Sequence, residues 1–387
     1  MTKRVILAAT LALAATTAQA ADMEMPGQLS WSAYDMGSTG YNQAVAIGSA
    51  MKSAYGTNLR LLPGKNDIAR SEPLRQGKVD FTAAGIGGVY MAQEGVFEFG
   101  AERWGPQKVR VLLQNAGAKF GFALAVTKET CEKAGKPGCE GFTYSDLRGL
   151  KVGHIKGSPA INVAIQALLA YGGLTWDDVE AVDFGGYGDS WRGLADGNID
   201  ATYSSTTAGT AYEVEAGPRG LYWPPIDASD AEGVQRMQDV APYFAPMTAT
   251  DGAGLSADNG VGAASYPYPV LIAMEEQDAD LVYKQTRAMV ETFDAYKDAA
   301  PAADGWNIEA QNLEWLVPFH EGAIRYFKEA GIWTDAAQAH NDRMIARQDA
   351  LAAAWEELKA EKPADWEAAW AEKRHAALAA GGFKPVF

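Results

Sequence analysis

The sequence is poor in the residues from which metal sites, disulfide scaffolds and nucleic-acid surfaces are built. Its 387 residues include two cysteines and four histidines, which excludes a four-thiolate zinc site and a disulfide-dense scaffold. Basic residues are also scarce, because 33 Lys and Arg stand against 49 Asp and Glu, a net charge of −16. Binding nucleic acid or anionic lipid requires a basic face, so we expect no nucleic-acid partner and no polybasic membrane attachment. The total charge does not describe one pocket, so it is compatible with a small anionic ligand.

Signatures of catalysis are missing as well. The sequence has no G-x-S-x-G elbow and no G-x-x-x-x-G-K-[ST] loop, and residues 85–88 do not form a dinucleotide fingerprint. No two histidines have the helical spacing of metal ligands, and residues 251–260 lack the spacing and the glutamate of an EF-hand. We interpret His154 and His320 as structural side chains. We therefore predict a protein that is not an enzyme, with no cofactor and no bound metal.

Long apolar runs are confined to the beginning of the chain. Two basic residues precede an apolar run at residues 5–15, and residues 18–20 (Ala-Gln-Ala) fit an A-x-A cleavage site. The alternative is an N-terminal membrane anchor, but the run is short for a bilayer core of about 30 Å. We predict a signal peptide over residues 1–20, cleavage after Ala20, and a periplasmic protein without direct membrane anchoring. Cleavage leaves 31 Lys and Arg against 49 Asp and Glu, a net charge of −18.

Export changes the interpretation of the two cysteines. Cys131 and Cys139 are separated by seven residues, and in an oxidising compartment such a pair closes a small loop. The chain-entropy model gives a ring of this size about 2.5 kcal/mol of stabilisation. A redox-active pair is the alternative, although the C-x-x-C spacing is absent. We predict a structural disulfide between Cys131 and Cys139.

The body of the chain alternates strand and helix patterns, which is typical of α/β domains. The first part predicts helices near residues 45–55 and 68–76 and strands at residues 29–34, 59–62, 79–84, 109–113 and 122–126. A second unit repeats the alternation, with helices at residues 159–171 and 190–196 and strands at residues 151–155, 179–184 and 199–203. This succession predicts two α/β units, each with a parallel or mixed sheet.

A third region is long enough to return to the first unit and complete it. It contains a strand pattern at residues 270–274 and a helix pattern at residues 280–296. We therefore predict domain I from residues 28–118 and 219–333 and domain II from residues 119–218. The two chain crossings between these domains, near residues 116–122 and 215–222, would form a hinge.

The segment after residue 333 differs in composition from the body. Residues 334–387 are rich in Ala, Glu, Lys and Trp, and they form two predicted helices separated near Pro363. One interpretation is an amphipathic C-terminal extension packed on the body. The other is a docking surface for a partner or a second subunit, to which Trp355, Trp366 and Trp370 would contribute.

Small polar residues follow the predicted strands. In open α/β sheets, ligands bind beyond the carboxyl ends of the strands, and exposed amides at helix starts favour an anion. The residues at these positions are Ser38, Thr39, Gly87, Gly88, Ser158, Ser204, Ser205 and Thr206. Ordinary caps and turns explain any one of these clusters. Four loops divided between two units are better explained by a ligand held between the domains.

Four segments resemble the TAXI-type solute receptors of TRAP (tripartite ATP-independent periplasmic) transporters. They are residues 34–41 (YDMGSTGY), residues 74–81 (LRQGKVDF), residues 147–153 (LRGLKVG) with Gly157-Ser158 after them, and residues 320–331 (HEGAIRYFKEAG). The last segment is the most specific, because it is close to the closing H-x-G-A-x-R-Y-x-x-E-x-G signature of that family. The resemblance covers roughly residues 28–333.

The resemblance implies a periplasmic-binding-protein type II-like fold of two α/β domains, followed here by the C-terminal helical extension. It implies that the domains close over one small solute, a carboxylate such as an amino acid, an oxo acid or a dicarboxylate. Such a receptor delivers its solute to the membrane subunits of an ion-driven TRAP permease and does not hydrolyse ATP. We expect the receptor to be a monomer.

One departure from the family pattern concerns the site. Where the family often has G-G-S followed by Asn, this chain has Lys65-Asn66-Asp67 and then Arg70. Arg70 would anchor a carboxylate as a bidentate partner, or it is an exposed helix residue paired with a nearby acid. Asp67 would repel a bare anion or bind an ammonium group.

The combined candidate site contains loop residues from both units, with Tyr34, Tyr41 and Tyr187 as aromatic walls. The predicted ligand-binding residues are Tyr34, Gly37, Ser38, Thr39, Tyr41, Asn66, Asp67, Arg70, Gly87, Gly88, Ser158, Pro159, Tyr187, Ser204, Ser205 and Thr206. The main alternative is a receptor of the same fold that serves an ABC transporter or a sensor kinase. An enzyme on this fold and a structural envelope protein are further alternatives.

Overall fold

The computed structural model describes residues 23–116 and 119–387 of the chain. The predicted signal peptide lies outside the described residues, as do Gly117 and Ala118 in the first predicted crossing. None of the helices in the described part of the chain has the length and apolar character needed to cross a membrane.

Strands form where β-branched, aromatic and other apolar residues run between glycine-rich or polar turns. In chain order they are β1 Gln28–Ala33, β2 Asn58–Pro63, β3 Phe81–Ala84, β4 Val109–Gln114, β5 Phe122–Val126, β6 Lys151–Ile155, β7 Glu180–Phe184, β8 Ala201–Ser205, β9 Ala245–Ala249, β10 Val261–Ser265 and β11 Val270–Met274. Strands β9 and β10 are absent from the predicted set because small residues dominate their sequences, APMTA and VGAAS.

Helices follow the strands, and many of them begin at a polar cap. They are α1 Thr39–Tyr55, α2 Asp67–Arg75, α3 Ile86–Glu94, α4 Lys128–Lys133, α5 Pro159–Tyr171, α6 Tyr187–Asp196, α7 Gly209–Ala216, α8 Ala231–Val240, α9 Ala279–Glu291, α10 Phe293–Tyr296, α11 Glu321–Glu329, α12 Asp335–Glu361 and α13 Trp366–Ala380. Ser38 caps α1 by accepting a hydrogen bond from the Tyr41 amide, and Gly56 ends that helix at a φ of 72°. The predicted helix at residues 280–296 is divided into α9 and α10.

Two sheets organise the body. The first has the strand order β2-β1-β3-β11-β4, in which β1 is parallel to β2 and β3, and β11 is antiparallel to β3 and β4. The second has the order β7-β6-β8-β5-β10-β9, in which β6 is parallel to β7 and β8. The predicted α/β class and its two-domain organisation are confirmed.

The second crossing between the domains differs from the prediction. Strands β9 and β10 extend the second sheet, so the chain returns to the first sheet after Ser265. Residues near 219 stay with domain II, because Tyr222 bridges Val126 and the Ile226 amide donates to the Gly262 carbonyl at 2.9 Å. The predicted boundary at residue 219 and the crossing near residues 215–222 are therefore wrong. The second crossing lies at residues 266–269.

The cysteine pair forms the predicted disulfide. Cys131 lies in α4, and Cys139 follows in a short helical turn eight positions later. Both residues are buried in domain II. The bond therefore joins the end of α4 to the loop that precedes β6.

The C-terminal extension packs on domain I. Helices α12 and α13 contact each other, and Trp355 packs edge-on against Trp366 and Trp370. The Trp370 indole donates to the Gly95 carbonyl at 2.5 Å, and the Trp366 indole donates to the Gly100 carbonyl at 3.0 Å. The structure therefore matches the interpretation of the extension as an appendage packed on the body.

A buried carboxylate ties this extension to α3. Glu94 is 0% exposed and accepts hydrogen bonds from Arg347 at 2.6 and 2.9 Å and from Arg374 at 2.8 Å. Both arginines are also buried and donate to carbonyls near the C-terminus, at Lys384 and Phe387. A carboxylate in this position is stable only while its partners remain, because water does not reach it.

We expect Arg374→Ala to lower the free energy of unfolding by about 3 kcal/mol, because it leaves Glu94 buried with one guanidinium partner. Urea unfolding of the variant and the wild type measures the difference.

Lys359→Ala is the matched control in the same extension. It removes an exposed pair with Glu356 and should change the free energy of unfolding by less than about 1 kcal/mol. Equal effects of the two substitutions would contradict the structural role given to Glu94.

Candidate functional site

A cavity of about 50 Å³ lies between the two domains. It is lined by aromatic rings, hydroxyl groups and a few charged side chains from both domains. The lining residues are Tyr34, Asp35, Ser38, Gly64, Lys65, Asn66, Asp67, Arg70, Gly85, Phe122, Ser158, Ala160, Ile161, Tyr187, Tyr203, Ser204, Ser205, Tyr266 and Tyr268.

The lining loops follow the carboxyl ends of strands in both sheets. In domain I they connect β1 to α1, β2 to α2 and β3 to α3. In domain II they follow β6, β7 and β8. The cavity therefore occupies the position at which open α/β sheets bind ligands.

Aromatic rings form one wall of the cavity. The Phe122 ring stacks on Tyr266, with centroids 4.4 Å apart, and lies parallel to Tyr203 at 5.7 Å. Tyr268 packs edge-on against Phe122 and is tilted toward Tyr34 at 5.0 Å. Tyr266 and Tyr268 belong to the second crossing between the domains, so one segment supplies both a connection and part of the wall.

The phenols of this wall are held in their neutral form. Burial raises the pKa of Tyr203, Tyr266 and Tyr268 well above the usual value near 10. The Tyr203 and Tyr266 hydroxyls are 3.2 Å apart, and Tyr187 hydrogen-bonds the Ser204 hydroxyl at 2.7 Å. The wall thus offers hydroxyl donors and apolar ring surface without a charge.

The central charged group of the cavity is a buried ion pair on α2. Arg70 is 5% exposed and Asp67 is 2% exposed, and the two side chains are hydrogen-bonded. The Arg70 guanidinium also lies over the Tyr34 ring, 4.1 Å from its centroid, which is a cation–π contact. The expectation of an exposed Arg70 is therefore wrong, although its pairing with a nearby acid is observed.

Hydrogen bonds join the two domains across the cavity. Asp67 accepts from the Ser158 hydroxyl at 3.1 Å and from the Ala160 amide at 2.9 Å. The Asn66 amide group donates to the Lys156 carbonyl at 3.0 Å, and the Thr39 and Ser205 hydroxyls are 2.9 Å apart. The structure is therefore a closed arrangement of the two domains.

The sequence profile of the NMT1-like family matches residues 36–331. The chain belongs to this family. The match begins in the loop after β1 and ends just after α11, so it includes most of both domains and excludes the C-terminal extension. No protein in a search of curated sequences matches the chain.

Solved structures with some similarity cover most of this NMT1-like chain at low identity. A protein from Bordetella bronchiseptica RB50 is 14% identical with a TM-score of 0.46, over 83% of this chain and 89% of that one. The amino acid ABC transporter substrate-binding protein AbpA from Streptococcus pneumoniae, bound to L-arginine, is 14% identical with a TM-score of 0.39, over 72% and 96%. The periplasmic aliphatic sulphonate binding protein SsuA from Escherichia coli is 14% identical with a TM-score of 0.40, over 80% and 94%.

More than half of the predicted ligand-binding residues of this NMT1-like protein line the cavity. These are Tyr34, Ser38, Asn66, Asp67, Arg70, Ser158, Tyr187, Ser204 and Ser205. They come together because the ends of the parallel strands in both sheets face each other. Whether each of them touches a solute stays a prediction.

The other predicted residues lie around the cavity and not on its lining. They are Gly37, Thr39, Tyr41, Gly87, Gly88, Pro159 and Thr206. The Thr39 hydroxyl is hydrogen-bonded to the hydroxyls of Ser205 and Thr207. The Thr206 hydroxyl donates to the Asp251 carbonyl at 2.6 Å. Their hydroxyls therefore support the loops and the domain contact.

Gly37 and Pro159 support backbone geometry, and Tyr41 packs against the core. The Gly37 carbonyl accepts from the Gly209 amide at 2.9 Å, which is another contact between the domains. Pro159 occupies the first turn of α5, and Tyr41 is half-buried in α1. These roles are structural in this arrangement.

Gly87 and Gly88 form the first turn of α3, where they allow close packing. A Cβ on Gly87 would lie 3.0 Å from the Tyr243 hydroxyl, and one on Gly88 would lie 3.3 Å from the Asp67 carboxylate. The glycine-rich turn therefore gives Asp67 the space that it occupies.

Sequence reasoning missed much of the aromatic wall and part of the charged rim. The missed lining residues are Asp35, Gly64, Lys65, Gly85, Phe122, Ala160, Ile161, Tyr203, Tyr266 and Tyr268. A usable signal exists for Tyr203, which precedes the predicted Ser204 in the same strand. Tyr266 and Tyr268 had no such signal, because the predicted second crossing was placed about fifty residues too early in the chain.

The two histidines of interest have local structural contacts away from the cavity. His154 pairs with Asp183 at 2.8 Å, and the Nδ1 atom of His320 accepts from the Gly322 amide at the start of α11. Burial lowers the pKa of His320, which favours its neutral form. Within residues 23–116 and 119–387, no group of three or more His, Cys, Asp or Glu side chains is placed to hold a metal ion.

We expect alkaline pH to destabilise the protein through the buried phenols. The unfolded chain loses their protons near pH 10, while the folded protein retains them, so the free energy of unfolding falls as pH rises above 10. Tyr266→Phe keeps the ring but removes one of these titrating hydroxyls. It should therefore make the fall in the free energy of unfolding shallower by the contribution of one proton, about 1.4 kcal/mol per pH unit. Denaturant unfolding between about pH 9 and pH 11 measures this slope. An unchanged slope in Tyr266→Phe would contradict the expected burial of its hydroxyl.

Proposed function

We propose that the protein is a receptor that captures a small organic solute between its two domains. The observation that carries the proposal is the cavity at which the strand ends of both sheets meet. Its loops are joined by hydrogen bonds from Asp67, Asn66 and Thr39 to the opposite domain.

The charged and aromatic lining supports a carboxylate as the solute. Arg70 is the buried cation of the cavity, and its Nε atom has no hydrogen-bond partner among the described residues. A guanidinium donates through several N–H groups in one plane, which suits a carboxylate. Tyr203, Tyr266 and Tyr268 would pack against the remainder of the solute, such as an amino acid or an oxo acid. We propose binding without turnover.

We propose delivery of the solute to the membrane subunits of a TRAP-type, ion-driven permease. This finer assignment depends on the sequence resemblance, above all on residues 320–331, which form α11 and its flanks. The alternative is the same receptor serving an ABC transporter or a sensor kinase. Uptake into vesicles that contain the permease, driven by an ion gradient without ATP, distinguishes the first assignment from the second. A gene for a permease of twelve or more helices beside the gene for this protein would also support the TRAP-type assignment.

Expression with its own N-terminus should give an exported protein that begins at Ala21. The reason is the apolar run and the Ala-Gln-Ala site at residues 18–20. The intact mass of the protein recovered from the periplasm is the measurement. A protein that retains residues 1–20 and stays with the membrane fraction would support an N-terminal anchor.

A carboxylate solute should raise the melting temperature of the protein. A ligand that binds only the folded state at about 100 times its Kd adds about 2.7 kcal/mol of stability. A thermal-shift panel of amino acids, oxo acids and other organic acids measures this effect. Failure of the whole panel, with no solute found by mass spectrometry of the purified protein, would count against the proposal.

Arg70→Ala should weaken the solute found in that panel by more than about tenfold, because it removes the guanidinium and leaves Asp67 to repel an anion. Arg75→Ala is the matched control, since Arg75 lies on the same helix and pairs with Glu72 outside the cavity. Isothermal titration of both variants gives the comparison. Equal affinities of the Arg70→Ala and Arg75→Ala variants for the solute would show that Arg70 does not bind it.

A further inference from the structure

Asp67 receives hydrogen bonds from both domains. One carboxylate oxygen is bonded to Arg70 on its own helix, α2. The other accepts from the Ser158 hydroxyl at 3.1 Å and the Ala160 amide at 2.9 Å, both on domain II. Because Asp67 is almost completely buried, these three donors replace its water.

The donors on domain II form an anion-binding position. Ser158 and Ala160 lie at the N-terminus of α5, which has thirteen residues and presents unpaired amides and the positive end of its dipole. A serine hydroxyl, a backbone amide and a guanidinium together are the donors that a carboxylate requires. In this structure the carboxylate that fills the position belongs to the protein itself.

Arg70 retains donor capacity that Asp67 does not use. Its Nε–H is buried and has no hydrogen-bond partner among the described residues, although Arg70 is 5% exposed and lines the cavity. A buried N–H of this kind is costly unless a ligand or water accepts from it. Arg70 therefore keeps an N–H group that is not bonded to Asp67.

The formal charges of the lining side chains cancel. Asp35 and Asp67 oppose Lys65 and Arg70, so the formal charge of the lining side chains is zero. Lys65 is exposed at the rim, where solvent screens it, whereas Asp67 and Arg70 are buried. A second carboxylate on the solute would have no free donors here, because Asp67 already occupies the position formed by Arg70, Ser158 and Ala160.

We propose that Asp67 determines specificity: it fills the carboxylate position made by Arg70, Ser158 and Ala160, and thereby limits the solute to one carboxylate group. The solute carboxylate binds Arg70 through donor groups that Asp67 does not use, and dicarboxylates are excluded. This inference rests on the proposed solute receptor and narrows its range of ligands.

Chemical rescue tests the carboxylate position without any knowledge of the solute. Asp67→Ala should lower the melting temperature, and sodium formate should restore a large part of the loss, because formate supplies the missing carboxylate. Sodium chloride at the same ionic strength should not restore it. The double variant Asp67→Ala/Arg70→Gln should lose the response to formate. A response to formate no larger than that to chloride would overturn the proposal.

A matched pair of probes tests the exclusion of dicarboxylates. Glutarate and its monoamide, glutaramate, differ by one carboxylate. Isothermal titration should show glutarate binding Asp67→Ala at least about tenfold more tightly than the wild type, with a smaller change for glutaramate. Glutarate binding equally well to both proteins would overturn the proposal.

Two further outcomes are decisive. If Asp67→Ala does not fold in either salt, Asp67→Asn replaces it in the titration, and it too should bind glutarate more tightly than the wild type; an equal affinity would overturn the proposal. Formate rescue combined with failure of every organic solute in the panel would refute the proposed receptor function while supporting the carboxylate position assigned to Asp67.

Discussion

The contact between the domains includes a buried carboxylate, Asp67, that takes hydrogen bonds from both of them. Burying a carboxylate costs several kcal/mol of hydration, and its hydrogen bonds and ion pair return a similar amount. Asp67 keeps Arg70 when the domains separate, but it exchanges Ser158 and Ala160 for water. The contribution of this group to closure is therefore small in either direction.

The second crossing explains why closure and the shape of the site are coupled. Tyr266 and Tyr268 lie between β10 of one sheet and β11 of the other, and their rings pack around Phe122 at the start of β5. A rotation of the domains changes the direction of this segment, because it is part of the connection. The aromatic wall is thus complete only in particular relative positions of the two sheets. A cavity lined only by loop hydroxyls would lack this relation between the shape of its wall and the relative position of the two sheets.

The sequence predicts the parts of the fold that have strong local patterns. The strand at residues 151–155 and the helix at residues 159–171 match β6 and α5, because an apolar run and a Ser-Pro start define them locally. Strands β9 and β10 lack such a pattern, because their pairing in the sheet, β10 with β5 and β9 with β10, determines them more than local propensity does. Because β9 and β10 were not predicted, the second crossing was placed too early and Tyr266 was not recognised as a lining residue. The burial of Arg70 was also beyond local reasoning, because it depends on Tyr34 and on domain II.

The extension makes domain I a firmer body against which domain II can move. Helix α3 is buried along its whole length, with its first turn beside Asp67 and its last residue, Glu94, bonded to Arg347 and Arg374. The hydrogen bonds of the extension to the body reach domain I, at Glu94, Gly95, Gly100, Val109, Trp315 and Phe319. The bonds to Glu94 connect the extension to the end of α3 that lies opposite Asp67, so the extension stabilises the helix whose first turn packs against that carboxylate.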